Sequence, residues 1–567
     1  PAFEDFLVLT NFFYSVSIQI LKNQELYNFQ KQNQSFFSFT KYVIAGDNSS
    51  INRLSAIFTA IKTLNDLKSD APSEKTLLNI IKQLSALSGM INAAHLQYHS
   101  LSQNSTQSLI SSLNLYYFEI VDFVLSHKTN ISLQIFPIFF NSPNQTHVLL
   151  SESILFYFVS GNTISTKLKN RYLELIVHFL FDKGGVLYPD FIDFPGKNNP
   201  LDLLKKRQSH FIFSYYAKAI ANLNSLVWQS DENMILQTVR LLDCYCVENL
   251  RIIEKSSGTL ANHLIRFSTN GARIVIQVCQ QASTKYLGAE NISVSFGTKM
   301  ELLKLILNIF SNLNYISEHS QLHMSEPYKQ TLVTLFEFIS NSSNLIFGKS
   351  GFSNFDLIFA SLLSTFNKSL DCSSLRLSCV IFIMDFIEQI IASLSSKFVQ
   401  HKLVVFLHPF LTRNCFMIWP RAFESSNVVF LSVLANPKFS FSYKYTYYYM
   451  DMISDLYLSK HLSTEIFQIC YLATIKCCIN VNNESHALEL CKIVTKPRFF
   501  EAFSPFDCIK TYSKSIISIS SNLINPWTQE LESYLKSNCS RDQVFLILQS
   551  LQDIAPLLVE RLFAIKS

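Results

Sequence analysis

The sequence predicts an all-α protein, an elongated α-solenoid of irregular HEAT/armadillo-like helical pairs. Along most of the chain, apolar residues recur at three- and four-residue intervals, the spacing of one helical face. Glycine is scarce, with 12 in 567 residues, and tight β-turns depend on glycine. Helix starts are spaced about 20 to 30 residues apart, so two helices fit a HEAT or armadillo repeat. No consensus recurs at fixed positions, so the prediction names no particular repeat family.

The first part of the chain, residues 1–182, is predicted to be a helical-repeat segment. Residues 3–21 are expected to form a core helix, because Glu4 and Asp5 stand where a signal peptide carries basic residues. Two apolar stripes, at 54–64 and 77–87, flank the turn residues 70–73 and predict one helical hairpin. The same periodicity predicts helices at 109–125, 151–158 and 168–181.

Residues 183–200 form the strongest break in the pattern. They include Gly184, Gly185, Pro189, Pro195, Gly196 and Pro200. Glycine allows the left-handed residue that ends many helices, and proline prevents a helix from continuing. We expect a loop or hinge here, which is either functional or a solvated connection between repeats.

The second helical-repeat segment is predicted to span residues 201–567. Its densest apolar region is 300–394, where a helix at 298–315 is apolar around most of its circumference and must be covered on two sides. A Ser-Glu-Pro start at 325–327 precedes the next helix, and two more are expected at 355–366 and 375–394. Near the end of the chain, residues 540–543 have the sequence of a capping box.

The cysteine pattern and the hydropathy of the sequence indicate the cellular compartment in which the protein is expected. All 12 cysteines follow residue 243, no CxxC pair occurs, and pairs such as Cys244 and Cys246 have apolar neighbours. This pattern indicates buried free thiols in a reducing compartment. No uncharged apolar run is long enough to predict a transmembrane helix. We therefore expect an intracellular protein, in the nucleus or cytoplasm, with the nucleus slightly favoured.

Catalytic and cofactor motifs are not supported. Gly348-Lys349-Ser350 resembles the end of a phosphate-binding loop, but Ser343 occupies the position of the required first glycine. Neither a GxSxG elbow nor a zinc-binding pattern is present. The sequence therefore predicts no enzyme, no cofactor and no metal site.

One segment departs from the helical pattern. Between Lys438 and Tyr447 aromatic and polar residues alternate, which is the period of a β-strand. Aromatic rings beside lysines can stack on bases or hold a peptide. Alternatively, the preceding Asn436-Pro437 indicates a loop whose rings cover the neighbouring helices. The candidate partner-binding residues are Phe439, Phe441, Tyr443, Lys444, Tyr445 and Tyr447.

A second candidate partner-binding element is the basic cluster Lys205-Lys206-Arg207. Three adjacent cations create a local positive field that suits nuclear targeting or phosphate contact. The alternative is a solvated face of a helix.

The function expected from these features is binding. The leading hypothesis is a non-enzymatic scaffold subunit of an intracellular multiprotein complex that binds other protein subunits through an extended surface. A transport receptor or adaptor of the same architecture is one alternative. A nucleic-acid-associated helical-repeat protein is another, although the formal charge of +5 alone does not imply nucleic acid.

Overall fold

The structure is a computed structural model of the 567-residue chain. It describes residues 112, 115–117, 119–120, 169–182, 185–189, 200–208, 213, 216–256, 258–288, 294–342, 353–366, 373–515 and 524–552. These residues are helical or form short connections, and they contain no β-strand. The prediction of an all-α fold is therefore confirmed. The helices predicted at 3–21, at 151–158 and in the hairpin at 51–87 lie outside the described residues, and so does the motif at 348–350.

The chain divides into two compact units, Pro1–Thr334 and Leu335–Ser567. The described helices of the first unit are α1 (Lys169–Phe181), α2 (Pro200–Gln208), α3 (Tyr216–Gln229), α4 (Glu232–Lys255), α5 (Gly258–Tyr286) and α6 (Phe296–Ser320). A 3₁₀ turn, Leu322–Met324, precedes α7 (Glu326–Ser342), which contains the boundary between the units. Among these helices, α4 packs on α1, α5 and α6, and α3 packs on α1 and α5. Packing in this unit therefore joins adjacent helices, such as α4 and α5, and also helices further apart in the chain, such as α1 and α4.

The ends of these helices follow from local side chains. The Asp231 carboxylate accepts from the Met234 backbone N–H at 2.9 Å and begins α4. Ser295 does the same for α6, which ends at the left-handed residue Gln321. Each cap pairs a backbone group that the helix itself leaves unpaired. The apolar circumference predicted at 298–315 is buried in α6, as expected of a helix covered on two sides.

The described part of the predicted loop, residues 185–189, is packed into the first unit. Val186, Leu187 and Tyr188 are buried. The Tyr245 hydroxyl of α4 donates to the Leu187 carbonyl oxygen at 3.3 Å. These residues are therefore not a solvated excursion. Residues 183–184 and 190–199 lie outside the described residues, and a domain division at 183–200 stays a prediction.

Polar groups are buried between the helices of the first unit. Asn249 of α4 is fully buried, donates to the Tyr315 hydroxyl at 3.3 Å and accepts from the Ser268 hydroxyl at 2.9 Å. Nearby in sequence, Asp243 accepts from the Asn308 side-chain amide at 2.6 Å. Burial raises the pKa of Asp243 to about 6, although the bond from Asn308 opposes the shift. The ionised carboxylate of Asp243 therefore opposes folding.

We expect the Asp243→Asn variant to be more stable than the natural chain at pH 7 to 8. The folded-state pKa lies above the unfolded value, so the folded state loses stability as pH rises from about 4 to about 6. Asparagine has no charge to desolvate, and its side-chain oxygen can still accept the hydrogen bond from Asn308. The gain should be on the order of 1–3 kcal/mol at pH 7 and should disappear near pH 4.

Hydrogen exchange of α4 peptides in the full chain measures this gain at both pH values. Asp202→Asn is the matched control, because the Asp202 side chain is 68% exposed. An equal gain for the two variants, or a gain at pH 4, would contradict the assignment of the effect to burial of Asp243.

The second unit continues with α8 (Asn354–Phe366) and α9 (Ser374–Ile390), followed by the 3₁₀ turn Ile391–Ser393. A continuous helical stretch then combines Ser396–Phe398, the π-helical turn Val399–Leu403 and Val404–Leu407. The remaining elements are α10 (Arg413–Ile418), α11 (Pro420–Ala435), the 3₁₀ segment Ser440–Tyr445, α12 (Thr446–Leu458), α13 (Thr464–Asn480), α14 (Glu484–Cys491), the 3₁₀ turn Lys492–Thr495, α15 (Pro497–Ala502), α16 (Pro505–Lys514), α17 (Ile524–Asn538) and α18 (Arg541–Gln552). Helix α11 packs on α9, α10 and α13, while α16 packs on α15, α17 and α18.

Two predicted helix starts in the chain are confirmed. Helix α7 begins at Glu326, within the predicted Ser-Glu-Pro start. At α18, the Ser540 backbone N–H donates to Gln543 Oε1 at 2.9 Å, and the Gln543 N–H donates to Ser540 Oγ at 3.4 Å. This reciprocal pair is the capping box that the sequence predicted.

Cysteines in the described part of the chain are free thiols, most of them buried. Burial raises the pKa of Cys415 to about 11 and the pKa values of Cys478, Cys491 and Cys508 to about 12. These thiols stay protonated and behave as small apolar side chains. The prediction of burial is wrong for Cys244, which is exposed because it lies on the outer face of α4.

Candidate partner-binding surface

The alternating segment Lys438–Tyr447 does not form a β-strand, so that interpretation of its period is wrong. Residues Ser440–Tyr445 form a 3₁₀ segment that leads directly into α12. The Ser442 N–H donates to the Phe439 carbonyl oxygen at 2.9 Å, which closes the first turn. A strand needs a neighbouring strand to pair its backbone, and the described residues provide none. The backbone is paired within helical turns instead.

The first two rings of this segment belong to the core of the second unit. Phe439 and Phe441 are only 1% and 8% exposed. Their ring centroids lie 6.2 Å apart, and the Tyr445 ring lies edge-on to Phe441 at 6.4 Å. Phe439 and Phe441 therefore anchor the segment, and a partner can reach neither ring while the unit is folded.

The surface itself is formed by tyrosines further along the segment. Tyr447 is 42% exposed and Tyr448 is 49% exposed. The His486 ring lies edge-on to Tyr447 at 4.1 Å, and the His408 ring stacks on Tyr448 at 5.3 Å. Tyr443, which is half-buried, lies edge-on to His486 at 6.2 Å. We call His408, Tyr443, Tyr447, Tyr448 and His486 the aromatic surface.

Hydrogen bonds hold His486 in place. The Thr446 hydroxyl donates to the Tyr443 carbonyl oxygen at 2.6 Å, and its oxygen lies 2.8 Å from His486 Nε2. The hydroxyl proton is used, so Nε2 is the donor in the second bond. Burial lowers the pKa of His486, so the ring is neutral near pH 7. The ring that supports Tyr443 and Tyr447 is thus fixed in one orientation.

Below the aromatic surface, the segment is tied to α13. The Ser442 hydroxyl lies 3.1 Å from the Cys477 thiol, and the Thr446 hydroxyl lies 3.8 Å from the Cys478 thiol. All four residues are buried. The exposed tyrosines therefore extend from a rigidly packed base.

Basic residues flank the aromatic surface on one side. The helical stretch that ends at Leu407 exposes Lys397, His401, Lys402 and Val405. Together with His408, these residues follow helical spacing and share one face of the stretch. We call this the basic face. It leads along the chain to His408, and so to the Tyr448 ring.

The sequence stretch that contains the basic face and the tyrosines carries an excess of positive charge. Between Gln389 and Met450 there are six Lys or Arg residues and one acidic residue, Glu424, a net charge of +5. The whole chain also has a formal charge of +5, so the rest of the sequence is balanced. Lys438 donates to the Ala392 carbonyl oxygen at 2.8 Å. Lys402 and Lys444 are exposed and form no ion pair in the part of the chain that the structure describes.

Acidic residues follow the tyrosines along α12. Asp451 and Asp455, on α12, lie 3.0 Å and 3.4 Å from the Arg498 guanidinium. Burial raises the pKa of Tyr447, and the charge of Glu489 raises it further. Acidic groups therefore lie on α12 beyond the tyrosines, and the charge of Glu489 acts on Tyr447.

The second candidate element lies in the first unit. Lys205, on α2, is 77% exposed and lies 3.9 Å from Asp202. The side chains of Lys206 and Arg207 lie outside the described residues. Partner binding by this cluster stays a prediction.

His408, Tyr448 and His486 are functional candidates that sequence reasoning did not select. His408 lies 40 residues before Tyr448, and His486 lies 39 residues after Tyr447. No local spacing links these rings, because packing of the helices between them brings them together. Only the position of Tyr448, directly after the alternating segment, gave a signal in the sequence.

The described ranges contain no group of three or more His, Cys, Asp or Glu side chains that could hold a metal ion. Within those same ranges, every helix is too short or too polar to cross a bilayer.

Comparison with known proteins adds no family to this description. No protein-family model matches the chain, and no curated protein has significant sequence similarity to it.

Proposed function

We propose that this protein is a non-enzymatic helical-repeat scaffold subunit of an intracellular multiprotein complex. In this proposal the aromatic surface is one of its contacts with protein partners. The observation that carries the proposal is the pair of exposed rings, Tyr447 and Tyr448, held between His486 and His408.

Fixed aromatic rings suit protein binding for energetic reasons. Tyrosine buries a large apolar area and loses little conformational entropy on binding, because it has few rotatable bonds. The His486 imidazole, which is bonded to Thr446, packs against Tyr447, and the His408 imidazole stacks on Tyr448, before any partner arrives. Tyrosine is enriched among the residues that dominate interface energies.

Packing between helices close in sequence supports an irregular α-solenoid arrangement within each unit. In the first unit, α4 packs on both α5 and α6, and in the second α11 packs on both α10 and α13. Helical arrays bury each helix on its sequence neighbours and leave other faces for partners. The free thiols support the intracellular part of the proposal.

The concentration of charge favours a second candidate function, association with nucleic acid. The region from Gln389 to Met450 carries the whole formal excess of the chain. Salt-dependent retention on single-stranded DNA or RNA would support this candidate.

The scaffold proposal predicts that the double variant Tyr447→Ser, Tyr448→Ser loses partners without unfolding. The full chain is purified from its native cells by affinity, and the co-purifying proteins are quantified. We expect a stable stoichiometric set for the natural chain and at least about a tenfold loss of one member for the double variant. The rings are exposed, so the thermal transition should change little.

Trp228→Ser provides the matched control, because Trp228 is a 52% exposed aromatic residue of the first unit. Its partner set should match that of the natural chain. The proposal fails if the double variant keeps every partner at natural levels, or if no stoichiometric partner co-purifies with the natural chain.

A further inference from the structure

We propose that the aromatic surface and the basic face together bind a short acidic segment of a protein partner, with an apolar residue of that segment placed on Tyr447 and Tyr448. The inference rests on the proposed function and names the partner's chemistry.

Charge complementarity identifies the anionic part of the partner. Lys402 and Lys444 are exposed and lack ion pairs within the described residues. Both lysines belong to the sequence stretch from Gln389 to Met450, in which Glu424 is the single acidic residue. Carboxylates arriving from a partner would gain attraction there and would displace no existing ion pair of these two lysines.

The exposed tyrosine rings identify the apolar part of the partner segment. Tyr447 and Tyr448 expose 42% and 49% of their surface beside the end of the basic face. An aliphatic or aromatic side chain can cover these rings while neighbouring carboxylates reach the lysines.

The dimensions indicate a short segment. The basic face extends along a helical stretch from Lys397 to His408, a separation of eleven positions. At 1.5 Å per residue this is about 16 Å. An extended peptide of about five residues has the same length. The segment is therefore comparable with a linear motif and much shorter than a domain.

Fixed acidic groups disfavour a long polyanion. Asp451 follows Tyr447 by one helical turn, and Glu489 acts electrostatically on Tyr447. Arg498 and Lys492 partly offset these charges. A nucleic-acid strand carries charge at every nucleotide and would continue past the tyrosines toward these carboxylates. A short acidic peptide ends before it reaches them.

The test uses fluorescence anisotropy with the full chain and defined probes. One probe is a labelled peptide of glutamates around a single leucine, and a second has lysines in place of the glutamates. The third and fourth are oligothymidylate and oligouridylate of about twelve nucleotides. We expect the glutamate peptide to bind most tightly and to weaken when ionic strength rises from about 0.05 M to 0.5 M, because salt screens exposed charges.

Variants locate the binding. The charge reversal Lys402→Glu, Lys444→Glu should weaken binding of the glutamate peptide by at least about tenfold. The pair Lys255→Glu, Lys329→Glu is the matched control, since both lysines are exposed and belong to the first unit. Replacing the leucine of the probe with serine should weaken binding to the natural chain and have a smaller effect on the Tyr447→Ser, Tyr448→Ser variant.

The inference is overturned if the glutamate peptide does not bind at about millimolar concentration, or if both charge reversals weaken it equally. Tighter binding of either oligonucleotide through Lys402 and Lys444 also overturns it, in favour of nucleic acid. If the Lys402→Glu, Lys444→Glu variant keeps the cellular partner that the tyrosine variant loses, the acidic segment is wrong while the scaffold proposal stands.

Discussion

Replacing Gly271 with alanine should destabilise the first unit by about 2–4 kcal/mol. Gly271 lies in α5 against the buried Tyr245 ring of α4. A Cβ atom at Gly271 would overlap the Tyr245 hydroxyl oxygen. The ring cannot move freely, because Phe181 lies edge-on to it at 4.9 Å and its hydroxyl is bonded to the Leu187 carbonyl oxygen.

A second substitution tests this explanation. Tyr245→Phe removes the overlapping oxygen, and the next ring atom would lie 3.2 Å from the added methyl carbon, a contact that a small adjustment relieves. The Gly271→Ala, Tyr245→Phe pair should therefore be more stable than Gly271→Ala alone, although Tyr245→Phe by itself costs about 1 kcal/mol. Such a coupling is the signature of residues in contact.

Gly297→Ala is the control for the change of residue type. Only Ser295 Oγ, at 3.9 Å, would lie near its new methyl group, so we expect stability to be unchanged or slightly higher. Hydrogen exchange across α4 and α5 in the full chain measures all four variants. If Gly271→Ala proves as stable as Gly297→Ala, the close approach of α4 and α5 is wrong.

Replacing Asp356 with alanine should destabilise the second unit by about 2–5 kcal/mol. Asp356 is fully buried. One carboxylate oxygen accepts from the Ser353 N–H at 2.6 Å and the other from the Ser395 N–H at 3.1 Å. Alanine would leave both buried donors unpaired, at the start of α8 and at the start of the stretch that carries the basic face.

A matched variant distinguishes the effect of burying the carboxylate from the effect of capping the helix. Asp507 occupies the same position relative to Ser504 in α16 and is exposed. Asp507→Ala should cost about 1 kcal/mol or less. Hydrogen exchange of peptides covering 353–366 and 395–407 should report local opening only for Asp356→Ala. Equal costs for the two variants would mean that Asp356 acts only as a cap.

Helix type and several helix ends were predictable because they depend on local chemistry. The capping box at Ser540 and Gln543 is set by residues three apart, and the Glu326 start depends on its own neighbours. The apolar circumference of α6 predicted burial on two sides. Such patterns act within one or two turns, so they can be identified without knowing the partner helix.

In the alternating segment the local sequence pattern indicated the wrong secondary structure. Its period of two indicates a strand, yet two of its rings are buried and the backbone is helical. Phe439 and Phe441 bury their apolar surface in the helical core, so the segment does not need to pair with another strand. An alternation of aromatic and polar residues therefore does not by itself specify a β-strand.

By itself the sequence determined that the described chain is helical, that most of its thiols are buried, and that excess positive charge gathers between Gln389 and Met450. Tertiary structure alone decided that Leu187 packs beneath Tyr245, that Asp356 joins two helix starts, and that His408 and His486 support Tyr448 and Tyr447. Helical periodicity and charge are properties of neighbouring residues, whereas these contacts join residues roughly 40 or more positions apart and form only when helices pack.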